Sequence, residues 1–202
     1  MAVKHAPLTA VVLAGGQGSR MGGPKAEILL KGKPLLQHVI DSLLPVTDHL
    51  IVVGSEAVRL PTIPYPDLAF LTDAAPDEGP LRAAATAFRS INTELTLVVG
   101  CDMPFLNAAL IAFLAGLATG HDVVVPVVEA REQPLHAVYR THFASLSAEN
   151  ALTAGERRMR SLLLGRDVRR VERPEWSAFD PLGRSFENLN TPDDLAAAET
   201  RT

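Results

Sequence analysis

Leu13-Ala-Gly-Gly-Gln-Gly-Ser-Arg-Met-Gly-Gly-Pro-Lys25 is the stretch that decides the fold. The run leading into it, Thr9-Ala-Val-Val-Leu-Ala14, is apolar and β-branched, the pattern of a strand buried on both faces. Five glycines then fall within nine residues (Gly15, Gly16, Gly18, Gly22, Gly23), which excludes a helix or a packed strand. A loop so poor in Cβ atoms can curl and turn its N–H groups toward an anion. Arg20 and Lys25 bring two cations to the same loop. A strand running into such a loop is how α/β proteins hold phosphates and nucleotides.

Two familiar phosphate loops fail here. Gly16-x-Gly18-x-x-x-Gly22 approaches a dinucleotide fingerprint, but Gly23-Pro24 interrupts where that motif opens a helix. Gly18 to Gly23 fits the first half of a Walker loop. Pro24, however, separates Gly23 from Lys25, and Ala26 stands where Ser or Thr would bind a metal. Linker composition fits no better, because Arg, Met and Lys are spaced among the glycines.

Working outward, apolar strand-like runs recur at Leu50–Val53, Ala69–Leu71, Thr96–Val99 and Val123–Val127. Helix-like segments lie between them. Leu36, Val39, Ile40, Leu43 and Leu44 recur at helical spacing before Pro45. Leu81 to Ile91 follows Pro80, a good first helical residue, and Leu106 to Ala118 has Asn107 as an N-cap candidate. This rhythm predicts a single-domain, Rossmann-like three-layer α/β sandwich with a mostly parallel sheet. After about residue 128 the rhythm changes, and Leu135–Arg140 and Val168–Glu172 alternate like half-buried strands. Phe143–Leu152 and Arg157–Leu164 read as helices, Pro174–Arg184 as a loop, and Phe186–Asn190 as a short extended piece. Thr191-Pro192-Asp193-Asp194 is a helix start with cap, proline and first-turn acids. An antiparallel C-terminal extension is therefore expected on the parallel sheet.

The chain has 202 residues, enough for one domain with a full core. Hydrophobic residues make up 47% and charged residues 21%, and the net charge of −4 gives no nucleic-acid surface. The single cysteine excludes an intramolecular disulfide and suits a reducing cytoplasm. No apolar run approaches a membrane span and no signal peptide is read, so a cytoplasmic protein without membrane or nucleic-acid partners is expected.

The glycine string resembles the nucleotidyltransferase signature LAGGxSxRMGxxK. Gly32-Lys-Pro-Leu35, Gly79-Pro-Leu81, Cys101-Asp-Met-Pro104, Pro134-Leu-His-Ala-Val-Tyr139, Gly155-Glu-Arg-Arg158 and Asn188-Leu-Asn-Thr-Pro192 extend the likeness nearly end to end. Together they resemble the molybdenum cofactor guanylyltransferases. Gly15-Gly16 stand where the cytidylyl relatives tend to carry Ala-Ala, which favours guanine. The resemblance implies transfer of GMP from GTP to molybdenum–molybdopterin with Mg²⁺. It also implies contacts with other cofactor-biosynthesis proteins and acceptor molybdoenzymes. Within one domain spanning 1–202, about 8–128 would form the nucleotide-binding half and about 129–202 the molybdopterin-binding half. Transfer with CTP, a sugar-1-phosphate nucleotidyltransferase and a non-catalytic cofactor carrier are the rivals.

The resemblance assigns residues as follows. Leu13, Ala14 and Gly15 would hold the guanosine end through backbone contacts, and the rest of the loop from Gly16 on, with Arg20 and Lys25, would hold the triphosphate. Asp102 follows the buried run Leu95–Gly100 at a sheet's carboxyl edge, where one carboxylate suits Mg²⁺. Asp73 would bind the nucleotide, with ordinary turn chemistry its rival. Where relatives often carry Asn after the second strand, this chain has Val53-Gly54-Ser55. His136, Asn188 and Asn190 would meet the pterin, the two amides lying on one side of an extended strand. Arg157 and Arg158 could meet the anionic substrate or form a solvated face. Cys101 reads as a buried structural cysteine.

Overall fold

The computed structural model describes residues 6–16, 21–56, 60–65, 68–73, 78–164 and 167–200. Six apolar residues form the first strand, β1 (Leu8–Leu13). Their side chains alternate between two cores. Leu8, Ala10 and Val12 pack on one face and Val11 on the other. β6 (Leu95–Gly100) does the same with Leu97 and Val99 against Val98. β6 is buried throughout and β1 in all but its last residue, as expected where helices cover a parallel sheet on two sides.

The remaining elements follow in chain order. After β1 come β2 (Leu29–Leu30), β3 (Lys33–Pro34), α1 (Leu35–Leu43), β4 (His49–Ser55), β5 (Ala69–Asp73) and α2 (Pro80–Phe88). After β6 come α3 (Ala108–Gly116), β7 (Val123–Val128), β8 (Arg131–Glu132), β9 (His136–Arg140), α4 (Thr141–Thr153), β10 (Val168–Val171), α5 (Arg173–Trp176) and α6 (Pro192–Thr200). The main sheet has eight strands in the order β10-β7-β9-β6-β1-β4-β5, with β8 paired to β7. Residues from α1 and α3, such as Leu36, Ile40, Leu110 and Leu114, fill one core. Residues from α2 and α4, such as Leu81, Phe88, Ala144 and Ala148, fill the other.

The helix starts follow local chemistry. Asn107 caps α3 by accepting from the Leu110 N–H at 3.1 Å. Thr191 Oγ1 accepts from the Asp194 N–H at 3.1 Å, and Asp194 returns the contact to the Thr191 N–H at 2.9 Å. This reciprocal cap is the start that the Thr-Pro-Asp-Asp sequence predicts for α6.

In the second half of the chain the structure details the expected sheet and departs from the expected short elements. The expected antiparallel element of the C-terminal half is β9, which lies inside the sheet, antiparallel to both β6 and β7. The later strand, β10, is parallel to β7 at the edge. Arg157–Leu164 yields only a 3-10 stretch, Met159–Leu163, and Phe186–Asn190 is not a strand. The expected loop after Pro174 begins with α5, held by a Glu172/Glu175 capping box. Trp176 ends it and donates from Nε1 to the Val127 carbonyl at 2.9 Å, tying this segment to β7.

Candidate functional site

β1 pairs with β4 on one side and β6 on the other, all three parallel. The chain moves outward through β4 and β5, then returns to place β6 on the opposite flank of β1. Strand order therefore reverses at β1, and the crevice beyond its carboxyl end is where ligands bind in open α/β sheets. The glycine-rich loop leaves β1 at this point. Its first residues are held by the neighbouring strands: the Ala14 N–H donates to Val53 O at 2.7 Å, and the Cys101 N–H donates to Leu13 O at 3.0 Å.

A cleft of about 240 Å³ opens beside this loop, lined by Leu13, Gly15, Gly16, Val53, Asp73 and Pro80 among others. It is smaller than the roughly 300–1,000 Å³ of pockets that enclose whole drug-sized ligands. It therefore has room for one ring system. Leu13, Val53 and Pro80 give it apolar walls. A Cβ on Gly15 would meet nothing within 4 Å, so the backbone there faces open space. Asp73 is buried at the cleft and pairs in register with Ser55 across β4 and β5. The Ser55 hydroxyl is buried and finds no hydrogen-bond partner among the described residues.

The charged end of the site forms around Asp102, just past β6. A Cβ on Gly100 would come 2.5 Å from Asp102 Oδ1, so glycine at 100 leaves room for the carboxylate to fold back over the strand end. Lys25 Nζ donates to Asp102 Oδ2 at 2.6 Å and to Asn190 Oδ1 at 2.5 Å. Both members of the ion pair keep about a fifth of their side chain exposed (19% and 20%), so they are accessible to a ligand.

The third member of this cluster, Asn190, is held from both sides. The Leu189 N–H donates to the Asp102 carbonyl at 2.9 Å, and the Leu189 side chain is buried with Leu30, Leu35 and Ala198. Asp194 Oδ2 accepts from the Asn190 N–H at 2.9 Å. That contact, with those to Thr191, keeps the Asp194 carboxyl below its ordinary range.

These positions revise part of the sequence reading. Leu13, Gly15, Gly16 and Asp73 line the cleft and Lys25 pairs with Asp102 beside it, whereas the Ala14 side chain is buried in the core. Arg20 lies outside the described residues. Asn190 belongs with Lys25 and Asp102 instead of standing apart with Asn188, which is exposed. His136, expected to meet the pterin, is instead completely buried. Its Nδ1–H donates to the Ser185 carbonyl at 3.2 Å, and its ring lies 4.9 Å from that of Phe186. Burial depresses its pKa to about 4, so the ring is neutral at ordinary pH. Cys101 is likewise buried, and loss of solvent pushes its thiol up to about 12, which leaves it inert.

Sequence reasoning missed two features near the cleft. One is the role of Gly100, which the Gly-Cys-Asp order could have suggested. The other is the contact joining Gly79-Pro-Leu81 to Gly155-Glu-Arg-Arg158. Gly79 has φ +87°, and a Cβ there would sit 2.8 Å from the Arg157 carbonyl. The Leu81 N–H donates to that carbonyl at 3.4 Å. The two motifs thus meet at one backbone contact between the start of α2 and the segment before the 3-10 stretch.

Comparison with known proteins agrees with this geometry. The family model described as MobA-like NTP transferase domain matches residues 10–171. A protein of Natronomonas pharaonis named a probable molybdenum cofactor guanylyltransferase is 36% identical over 197 residues, covering 96% of this chain and 97% of the relative. A protein of the same name from Chloroflexus aggregans is 32% identical, covering 95% and 93%. Among solved structures, molybdopterin-guanine dinucleotide biosynthesis protein A from Archaeoglobus fulgidus is similar, with a TM-score of 0.78 at 27% identity, covering 95% and 96%. The 2-C-methyl-D-erythritol 4-phosphate cytidylyltransferase of Thermus thermophilus shares the fold at 19% identity, with a TM-score of 0.70 and coverage of 94% and 96%. With its glycine-walled cleft, its Lys25–Asp102 pair and a match over most of its length, the chain belongs to the MobA-like NTP transferase domain family.

Proposed function

We propose that this chain is a molybdenum cofactor guanylyltransferase, transferring GMP from GTP to the terminal phosphate of molybdenum–molybdopterin and releasing pyrophosphate. The observation that carries the reading is the 2.6 Å pairing of Lys25 with Asp102 beside a glycine-walled cleft. The names of relatives at 36% and 32% identity support the substrate pair.

In this reading the guanine enters the cleft between Leu13, Val53 and Pro80, and the Asp73 carboxylate accepts hydrogen bonds from the nucleoside. Backbone N–H groups of Gly15 and Gly16 lie along the phosphates. Lys25, with Arg20, neutralises the triphosphate and the departing pyrophosphate. The acceptor's phosphate oxygen bonds to the α-phosphorus as the bond to the pyrophosphate oxygen breaks, and positioning and charge supply the catalysis. The Asp102 carboxylate and the Asn190 amide oxygen converge on one ammonium. Two hard oxygen donors beside a triphosphate fit Mg²⁺, which takes one or two carboxylates and completes its shell with phosphate and water. When bound there, Mg²⁺ supplies charge neutralisation of the phosphates.

A carrier that only holds and hands on the finished cofactor has no use for the paired Lys25 and Asp102 beside a cleft that fits one ring system. Among the described residues no helix is long and apolar enough to cross a membrane. We place the enzyme in the cytoplasm, with acceptor molybdoenzymes as partners. The test is single-turnover pyrophosphate release with GTP or CTP, with and without molybdopterin. Release with GTP that depends on molybdopterin is expected. Equal release with CTP refutes the guanine assignment, and no release with either refutes transfer.

A further inference from the structure

On the same sheet edge, beyond β9, lies a cavity of about 680 Å³ lined by Arg131, Glu132, Arg160, Arg170, Glu172 and Val127 among others. Nothing in the nucleotide site uses it. β9 is antiparallel to both β6 and β7, so β6 and β7 run in the same direction, and β10 is parallel to β7. The carboxyl ends of β7 and β10 therefore open on the same edge as the Asp102 site.

The faces also agree. Val123 and Val125 of β7 belong to the core under α2 and α4, so Val127, two residues on, lies on that face. Glu132 is its register partner. Val98 belongs to the same core, Gly100 follows it by two, and the Asp102 carboxylate folds over the Gly100 Cβ position. The nucleotide cleft at β1, β4 and β5, the Asp102 carboxylate at β6, and the arginine-lined cavity at β7 and β10 thus lie in sequence along one face of one edge. From β6 to β7 is two strand spacings, roughly 10 Å.

The chemistry of the cavity is that of a pinned arginine array. Glu132 accepts from Arg170 Nε at 2.8 Å and from its Nη2 at 2.7 Å. Its other oxygen lies 3.4 Å from Arg160 Nε. Glu132 is the sheltered member, with 15% of its side chain exposed, and Arg160 and Arg170 remain well exposed at 75% and 51%. One carboxylate therefore orders two guanidiniums and leaves most of their N–H donors unspent, and Arg131 adds a third group. Glu172 contributes a second carboxylate, whose side chain is engaged in capping α5. The surrounding sequence is strongly biased. Residues 157–173 hold seven arginines and two acids in a chain of net charge −4. Ordered guanidiniums suit an anion with several acceptor atoms.

We infer that this cavity binds the far, anionic end of the acceptor, its dithiolene and metal-bearing part, while the acceptor's phosphate reaches across β9 to Asp102. The inference rests on the guanylyl-transfer reading for the identity of the acceptor. It adds an anion-holding end to acceptor recognition, in which the buried His136 takes no direct part.

The test is equilibrium binding of molybdopterin, with and without molybdenum, measured in the absence of nucleotide, alongside GTP binding. The variants are Arg160→Gln with Arg170→Gln, Arg131→Gln alone, and Arg89→Gln as a charge control at the far end of α2, where it pairs with Glu149. Arg131→Gln leaves both ion pairs of Glu132 in place, so it reports even if the double variant folds poorly. Molybdopterin affinity should fall about tenfold or more in the double variant and about threefold or more in Arg131→Gln, with GTP affinity within twofold of wild type. Molybdopterin affinity matching the Arg89→Gln control would overturn the assignment, as would an equal loss of GTP affinity. If wild type binds molybdopterin through these arginines but never releases pyrophosphate from GTP, the transfer reading fails while the cavity assignment stands.

Discussion

Replacing Lys25 with alanine separates a structural ion pair from a catalytic one. The ammonium touches Asp102 at 2.6 Å and Asn190 at 2.5 Å, yet its side chain and that of Asp102 remain about one-fifth exposed (19% and 20%). Partly solvated pairs of this kind contribute little to folding, about 0–1 kcal/mol. Asn190 is also fixed independently by the Leu189–Asp102 backbone bond and by Asp194. Lys25→Ala should therefore change unfolding free energy by no more than about 1 kcal/mol. Its effect on turnover should be much larger. A hydrogen bond to a charged group is worth about 1.5–3 kcal/mol net, which converts to about a 10- to 150-fold loss in GTP affinity, turnover or both. Denaturant unfolding, GTP titration and pyrophosphate release on the same preparation measure all three quantities. A variant that loses stability by several kcal/mol but transfers GMP at the wild-type rate would show that the pair serves the fold alone, and the phosphate-cradling role of the glycine loop would go with it.

Three further outcomes are expected. Asp102→Asn preserves shape but removes the charge beside Lys25, so pyrophosphate release should collapse at ordinary Mg²⁺ while the melting temperature stays near wild type; near-normal release would exclude a metal role. His136 has a folded pKa depressed to about 4, below its ordinary 6.5, so the unfolded chain binds the proton first as pH falls. Its contribution to stability is complete above pH 6.5 and is lost progressively toward pH 4, by about 3 kcal/mol; His136→Gln should flatten that slope in denaturant titrations, and an unchanged slope would mean the ring is not the titrating group. Gly79→Ala must hold φ at +87° and place a Cβ 2.8 Å from the Arg157 carbonyl, so it should cost about 1–3 kcal/mol and weaken GTP binding as well; wild-type stability would show that the contact yields freely.

The parts of this molecule that the sequence discloses are those governed by short-range rules. β1 and β6 read correctly because runs such as Ala-Val-Val-Leu and Leu-Val-Val are too apolar to lie anywhere but inside. Asn107 and Thr191 read correctly as caps because an N-cap bonds only three residues ahead. The alternation of Leu135–Arg140 tells which side chains share a face, yet not what covers them, and Ser185 and Phe186 over His136 come from a distant segment. Asn190 makes a contact with Lys25 that is hidden from the sequence for the same reason. Its position depends on Leu189 reaching the backbone of Asp102, a contact without local signal. α5 has four residues, too few for a helical period, and its Glu172/Glu175 capping box is seen only in the structure.

The position of β9 has a consequence for how the protein can be divided. Glycine loop, Asp102 and cleft all lie before residue 128, which invites excision of that part as a minimal GTP-binding module. Without β9, however, β6 becomes a bare sheet edge, and the β6 side of Leu95–Gly100 presents unpaired backbone groups to any other chain. β7, whose partners β8, β9 and β10 all come later in the chain, is then left unpaired. Synthesis from the N-terminus passes through this state every time, because β6 and β7 leave the ribosome before the strand that joins them. The interval between the two is a window for edge-to-edge aggregation, and it closes only when residues 136–140 slide between strands already made. Circular permutation should therefore tolerate new termini outside 95–140 far better than within it.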